Sequence, residues 1–99
     1  MLTLTIKKKW FDMIKSGEKK EEYREIKPYY DKRFGWKDDE KFMTYQITTD
    51  VIFRNGYSKT SPTLFCHVCI QKGYGKEEWG AEPNKIYYVL KIMEIWEEK

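Results

Sequence analysis

Apolar and polar residues alternate through Leu2, Thr3, Leu4, Thr5 and Ile6, the period of a strand with one buried face. The spacing then changes. Trp10, Phe11, Met13 and Ile14 fall on one stripe of a helix, and Gly17 is placed to stop it. From Glu18 to Tyr23 no helical stripe is present, and Pro28 closes the segment. Counted by two, Glu22, Arg24 and Ile26 share one face of a strand, with Glu21, Tyr23 and Glu25 on the other. Charges turned inward on a strand need one another and a cleft to offset their desolvation. Lys19 falls on the face opposite Glu22 and Arg24. It joins them only if the strand begins after it or bulges there.

Further along, Pro28 opens a short helix, proline being well suited to a first helical position, and a polar loop runs on to Phe42. The stretch "DVIFRNGY" reads as a strand entering an Asn55-Gly56 turn. "TLFCHVCIQK" is its return strand, although Ser58 to Pro62 makes the connection longer than two residues. "GYGKEEWGAEP" is a loop, and "KIYYVLKIMEIW" a long final strand. Five to six strands with two or three short helices in 99 residues predict an α+β single domain spanning residues 1–99, built as a small mixed β-barrel.

Composition sharpens this picture at two points. Charged residues make up 35% of the chain, a level that by itself suggests weak folding. Aromatics at 17% supply large rings that disordered chains lack, so a folded core is expected. The net charge of +3 is unevenly placed. Residues 1–41 hold twelve Lys and Arg against nine Asp and Glu, and residues 42–99 hold seven against seven. The basic excess therefore coincides with the charged strand, and a basic field beside aromatics suits a nucleic acid partner. Lys7, Lys8 and Lys9 sit around a helix start, where the helix dipole disfavours cations. They are either solvated or reserved for a ligand. No apolar run is long enough to span a membrane. The first residues lack the order of a secretory signal, so a cytoplasmic location is the expectation.

Cys66, His67 and Cys69 invite a zinc or redox reading. On a strand, however, residues three apart point to opposite faces and lie about 10 Å apart along the chain. That geometry predicts reduced, structural thiols with no metal and no disulfide.

Gly17-Glu18-Lys19-Lys20-Glu21-Glu22-Tyr23-Arg24 matches the pattern Gly-x-Lys-x-x-Glu-x-Arg. In this it resembles the signature of the activating-signal-cointegrator homology (ASCH) domain family, and it follows a similar strand-then-helix entry, "LTIKKKWFDMIKSG". "VIFRNGYSKTSP" and "EEWGAEPNKIYYVLKI" also look like segments of compact bacterial and phage members. The resemblance implies a β-barrel related to the pseudouridine-synthase and archaeosine-transglycosylase (PUA) RNA-binding domain, with a cleft that accepts RNA or a nucleobase. It implies Lys19, Glu22 and Arg24 as cleft residues, with Gly17 allowing the turn that brings Lys19 in.

A base also needs a ring or guanidinium plane to stack on, and Tyr29, Tyr30, Arg54 and Tyr57 are the candidates for the rim. The expected partner is RNA or a nucleotide, with DNA as the other polyanion the charge would suit. No cofactor and no metal is expected. Some small relatives hydrolyse 4-acetylcytidine with a Lys, a Thr and a Glu, but here Glu22 stands at the Thr position and lacks the attacking hydroxyl. The alternative to a binding module is a small hydrolase acting on RNA or a modified nucleoside, in which Lys19, Glu22 and Arg24 would be the catalytic groups.

Overall fold

A computed structural model describes residues 1–37 and 45–97; the polar loop expected from Asp38 to Phe42 lies outside them. In chain order the elements are β1 (Leu2–Thr5), α1 (Lys8–Lys15), β2 (Glu21–Arg24), α2 (Pro28–Phe34), β3 (Gln46–Arg54), β4 (Thr63–Tyr74) and β5 (Ile86–Glu97). A 3-10 turn at Glu77–Trp79 lies between β4 and β5. The strands form one mixed sheet in the order β1-β3-β4-β5-β2. β1 runs parallel to β3, with Leu2 opposite Val51 and Thr5 opposite Arg54. The other pairings are antiparallel.

The sheet curls into a half-barrel, not a closed barrel. β1 and β2 are its two edges, each only four residues long. No ladder joins them, so a seam stays open where a barrel would close. A register shift on the β4–β5 ladder adds to the curl: Glu94 lies opposite His67 and Ile92 opposite Val68, so Met93 is the extra residue of a bulge.

The concave face holds the core. Leu4 and Ile6, Val51 and Phe53, Leu64 to Ile70 at every second position, and Tyr88 and Leu90 are buried there, and Phe11, Ile14 and Phe34 from the two helices join them. The alternation on β4 separates the two cysteines as expected. Cys66 is buried on the inner face, where the apolar surroundings push its thiol up to about 12. Cys69 is on the outer face, its thiol directed to the Gln46 side chain. Among the described residues no group of three or more His, Cys, Asp or Glu could hold a metal ion, and no helix is long and apolar enough to cross a membrane.

The connection from β3 to β4 runs from Asn55 to Pro62, longer than the two-residue turn that Asn-Gly alone would suggest. Asn55 serves a different purpose. Its Nδ2 donates to the carbonyl of Ile6 over 3.0 Å and pins the loop to the end of β1.

Candidate functional site: a groove along the open seam

Helix α1 ends where the sequence predicted. Gly17 takes φ +87°, a left-handed backbone that favours glycine, and its N–H bonds to the carbonyl of Ile14. The turn that follows brings the N–H of Lys19 back to Met13 and sends the Lys19 side chain inward. β2 begins only at Glu21, so the strand parity does not bind Lys19. This resolves how Lys19, Glu22 and Arg24 meet.

Lys19 is sealed, its side chain 0% exposed. Its Nζ donates to the carbonyl of Trp79 over 2.7 Å and lies 3.3 Å from Oε1 of Glu22. The rings of Trp10 and Tyr23 close over it, their centroids 5.0 and 4.8 Å away. Burial pulls the Lys19 ammonium below the usual lysine range, while the Glu22 carboxylate works against that shift. Tyr23 is fixed from both sides: its hydroxyl donates to Glu21 and accepts the N–H of Lys76. Burial raises the pKa of this phenol.

Glu22 uses its other oxygen for Arg24, 2.9 Å from Nη2. The same Nη2 donates to the carbonyl of Thr5 over 2.9 Å, and Nη1 donates to the Tyr30 hydroxyl over 3.1 Å. Arg24 therefore spans the seam from β2 to β1 and to α2, while its Nε is buried with no hydrogen-bond partner among the described residues. The expectation that all three motif residues would be reachable from solvent needs correction. Lys19 lies beneath the groove, Glu22 is nearly covered, and Arg24 alone reaches the surface, with 15% of its side chain exposed. The triad is dense because buried charges must compensate one another.

Above it runs a groove with two lobes of about 560 and 490 Å³, which share Thr5, Ile6, Lys7, Arg24 and Tyr30. The first lobe is walled by β1 and by Tyr29, Tyr30, Asn55, Gly56 and Tyr57. Its described lining carries two cations, Lys7 and Arg24, three tyrosines and no carboxylate. Tyr57 is 91% exposed and Tyr29 53%. The second lobe mixes charges: Lys27 and Lys85, with the shared Lys7 and Arg24, stand among the carboxylates of Glu22, Glu25 and Glu82. Lys85 reaches Glu82 at 3.3 Å, a contact that raises its pKa, and lies 4.0 Å from Glu25.

Of the residues singled out in the sequence, Arg24, Tyr29, Tyr30 and Tyr57 line the first lobe and Glu22 the second. Gly17 serves the site only through its turn. Arg54 does not line either lobe: it alternates with the inward-facing Phe53 and falls on the outer side of β3, its Nε buried with no hydrogen-bond partner among the described residues. The three lysines at the helix start divide. Lys7 lines both lobes, Lys8 pairs with Asp12 at 2.6 Å, and Lys9 lies over the Trp10 ring. Sequence reasoning missed Trp10, Tyr23 and Trp79 as the seal on Lys19. It also missed the main chain of β1 as a wall. Trp10 reads as part of a core stripe, Tyr23 as the opposite face of the strand and Trp79 as loop, and a main-chain wall leaves no compositional trace. Compared with family models, with curated proteins and with solved structures, the chain matches none.

Proposed function

We propose that the protein is a binding module for single-stranded RNA or a nucleotide, held in the seam groove, in keeping with the resemblance of its Gly17–Arg24 motif to the ASCH and PUA-like domains. The observation that carries this reading is the lining of the first lobe: Lys7, Arg24, Tyr29, Tyr30 and Tyr57, with no described carboxylate. Cations beside exposed rings are the two elements single strands need, charge for phosphate and a plane for the base. The buried triad supports binding rather than turnover. Lys19 is out of reach of any substrate in the groove, and Glu22 is engaged by both cations. The triad sets the position of Arg24 and leaves a local charge that favours an anion.

Fluorescence anisotropy with a labelled single-stranded RNA of mixed sequence tests the proposal. Two phosphate contacts, by Lys7 and Arg24, at about 0.7 each give a slope of log K against log salt near −1.4. Lys7→Ala should flatten that slope by roughly one contact, and Tyr57→Ala should cost about 1–3 kcal/mol through lost stacking. Neither side chain makes a hydrogen bond or ion pair among the described residues, so stability should hold. Arg24→Lys keeps the charge, loses the fork and should weaken binding. Absence of binding, or binding indifferent to all three changes, would overturn the reading.

A further inference from the structure

Strand β1 is paired on one side only. Its pairing with β3 is parallel, and the N–H of Ile6 donates to the carbonyl of Arg54 over 2.9 Å while the carbonyl of Ile6 accepts from Asn55. In a strand the N–H and C=O of one residue point the same way, and successive residues alternate. Leu4 and Ile6 therefore turn their main-chain groups to β3. Thr3 and Thr5 turn theirs to the seam, as the Arg24 bond to the Thr5 carbonyl confirms. This leaves the N–H and C=O of Thr3 and the N–H of Thr5 on the wall of the first lobe, with no partner among the described residues. A strand edge left bare this way is normally covered or blunted.

Resting on the nucleotide-binding reading above, we infer that the open edge of β1 reads the base: the Thr3 carbonyl and Thr5 N–H form a main-chain acceptor–donor pair for the adjacent donor and acceptor on a nucleobase edge. Every base carries such an edge: N3–H with O4 in uracil, N1–H with O6 in guanine, N6–H with N1 in adenine, N4–H with N3 in cytosine. Bases splayed out of a single strand are read on these edges. Tyr29 and Tyr57, also on this lobe, supply the faces for stacking, and Lys7 and Arg24 stand at the shared floor for the phosphate. An extended peptide would want the whole edge of β1. Arg24 already holds the Thr5 carbonyl, which interrupts a strand-like ladder but leaves room for a single planar base. Specificity would then lie in hydrogen bonds and not in charge, so blocking the base edge should abolish it while leaving the phosphate untouched.

The test is made first on the unaltered protein by calorimetry with matched pairs: UMP against N3-methyl-UMP, GMP against N1-methyl-GMP, AMP against N6,N6-dimethyl-AMP, and CMP against N4,N4-dimethyl-CMP. At least one preferred base should lose about tenfold or more on methylation, the discrimination expected of a good paired contact. Thr5→Pro deletes the outward N–H at an edge position, where proline is tolerated. It should erase the difference between that base and its methylated form and keep the melting temperature. If the parent nucleotides bind and all four methylated partners bind equally, the main-chain reading fails while the binding module stands. If no nucleotide binds, the main-chain reading fails, and if the labelled RNA does not bind either, the binding module fails with it. Binding of a peptide of alternating Glu and Val with no nucleotide binding would overturn both in favour of strand addition.

Discussion

Arg24 Nη2 donates to the main-chain carbonyl of Thr5 over 2.9 Å, so a side chain on one edge strand performs, across the seam, the task a backbone amide performs in a closed barrel. Two consequences arise. The guanidinium cannot be removed without loosening β1 from β2. The groove also keeps its width, because one side-chain bridge holds the edges apart as well as together. Glu22 completes the arrangement by compensating Arg24 and Lys19 at once.

Glu22→Ala is therefore the most damaging single change expected in the site. It strands two cations near the core and should cost about 3–5 kcal/mol in urea unfolding. Lys19→Met should cost less. A thioether chain fills the space between Trp10 and Tyr23, and the main loss is an unmet Trp79 carbonyl, about 1–3 kcal/mol. The double variant should recover part of the Glu22 loss, since one of the two stranded charges is gone. A Glu22→Ala cost below about 1 kcal/mol would show that the triad is solvated and that this account of its burial is wrong.

Alkaline pH should reveal Cys66. Its folded-state pKa of about 12 lies above the ordinary value of 9.0, so the unfolded chain gives up this proton first. The stabilisation is complete below pH 9 and is lost as pH rises toward 12, at about 1.4 kcal/mol per unit. Lys19 acts in the opposite sense. Its lowered pKa lets the unfolded chain hold a proton the native one has lost, so its contribution to stability rises with pH up to 10.5. Tyr23 adds a loss above pH 10. Chemical denaturation of wild type and Cys66→Ala at matched pH isolates the cysteine, and their stability difference should shrink steadily above pH 9. A difference that stays flat to pH 11 would mean the thiol is not held in an apolar setting.

The loop that carries Tyr57 depends on a glycine. Gly56 has φ +126°, and a Cβ there would stand 2.4 Å from Oγ of Ser61, the atom that accepts the N–H of Ser58. Gly56→Ala should cost about 1–3 kcal/mol and weaken RNA binding, because the loop must shift to admit the methyl group. Gly17→Ala meets no atom within 4 Å, so only the backbone conformation is penalised, by about 1 kcal/mol. Thermal melting of both variants, with the binding assay on the first, checks this. Equal losses would show that the Ser61 contact does not hold the loop.

Much of the fold was legible from local rules. The stripe Trp10 to Ile14, the stop at Gly17, the opening at Pro28 and the strand alternation in β4 all express spacing and backbone preference, which act over a few residues. The convergence of Glu22 and Arg24 was legible for the same reason, since residues two apart on a strand share a face. What could not be read were the long-range choices. Nothing local says that Lys19 meets the carbonyl of residue 79, or that Arg24 meets that of Thr5, because a carbonyl looks the same under every side chain. Arg54 shows the reverse failure: its residue type suits a groove, and its parity turns it away from this one. Closure of the barrel depends on the lengths of β1 and β2, and strand ends are where local preference is weakest.

The parallel pairing of β1 with β3 also bears on the order in which the molecule assembles. β3, β4 and β5 follow one another as antiparallel neighbours, contacts that close early. Seating Leu2 against Val51 closes a loop about half the chain long and gains little until β3 is already in place. β1, although it precedes β3 in the chain, is thus among the last strands to dock, and the groove, whose wall it forms, is the final feature to appear. Pulse-labelled hydrogen exchange during refolding should find the β4 amides protected before those of Leu4 and Ile6; the reverse order would show that β1 nucleates the sheet. A nascent or partly folded chain would then own a core well before it owned a binding site.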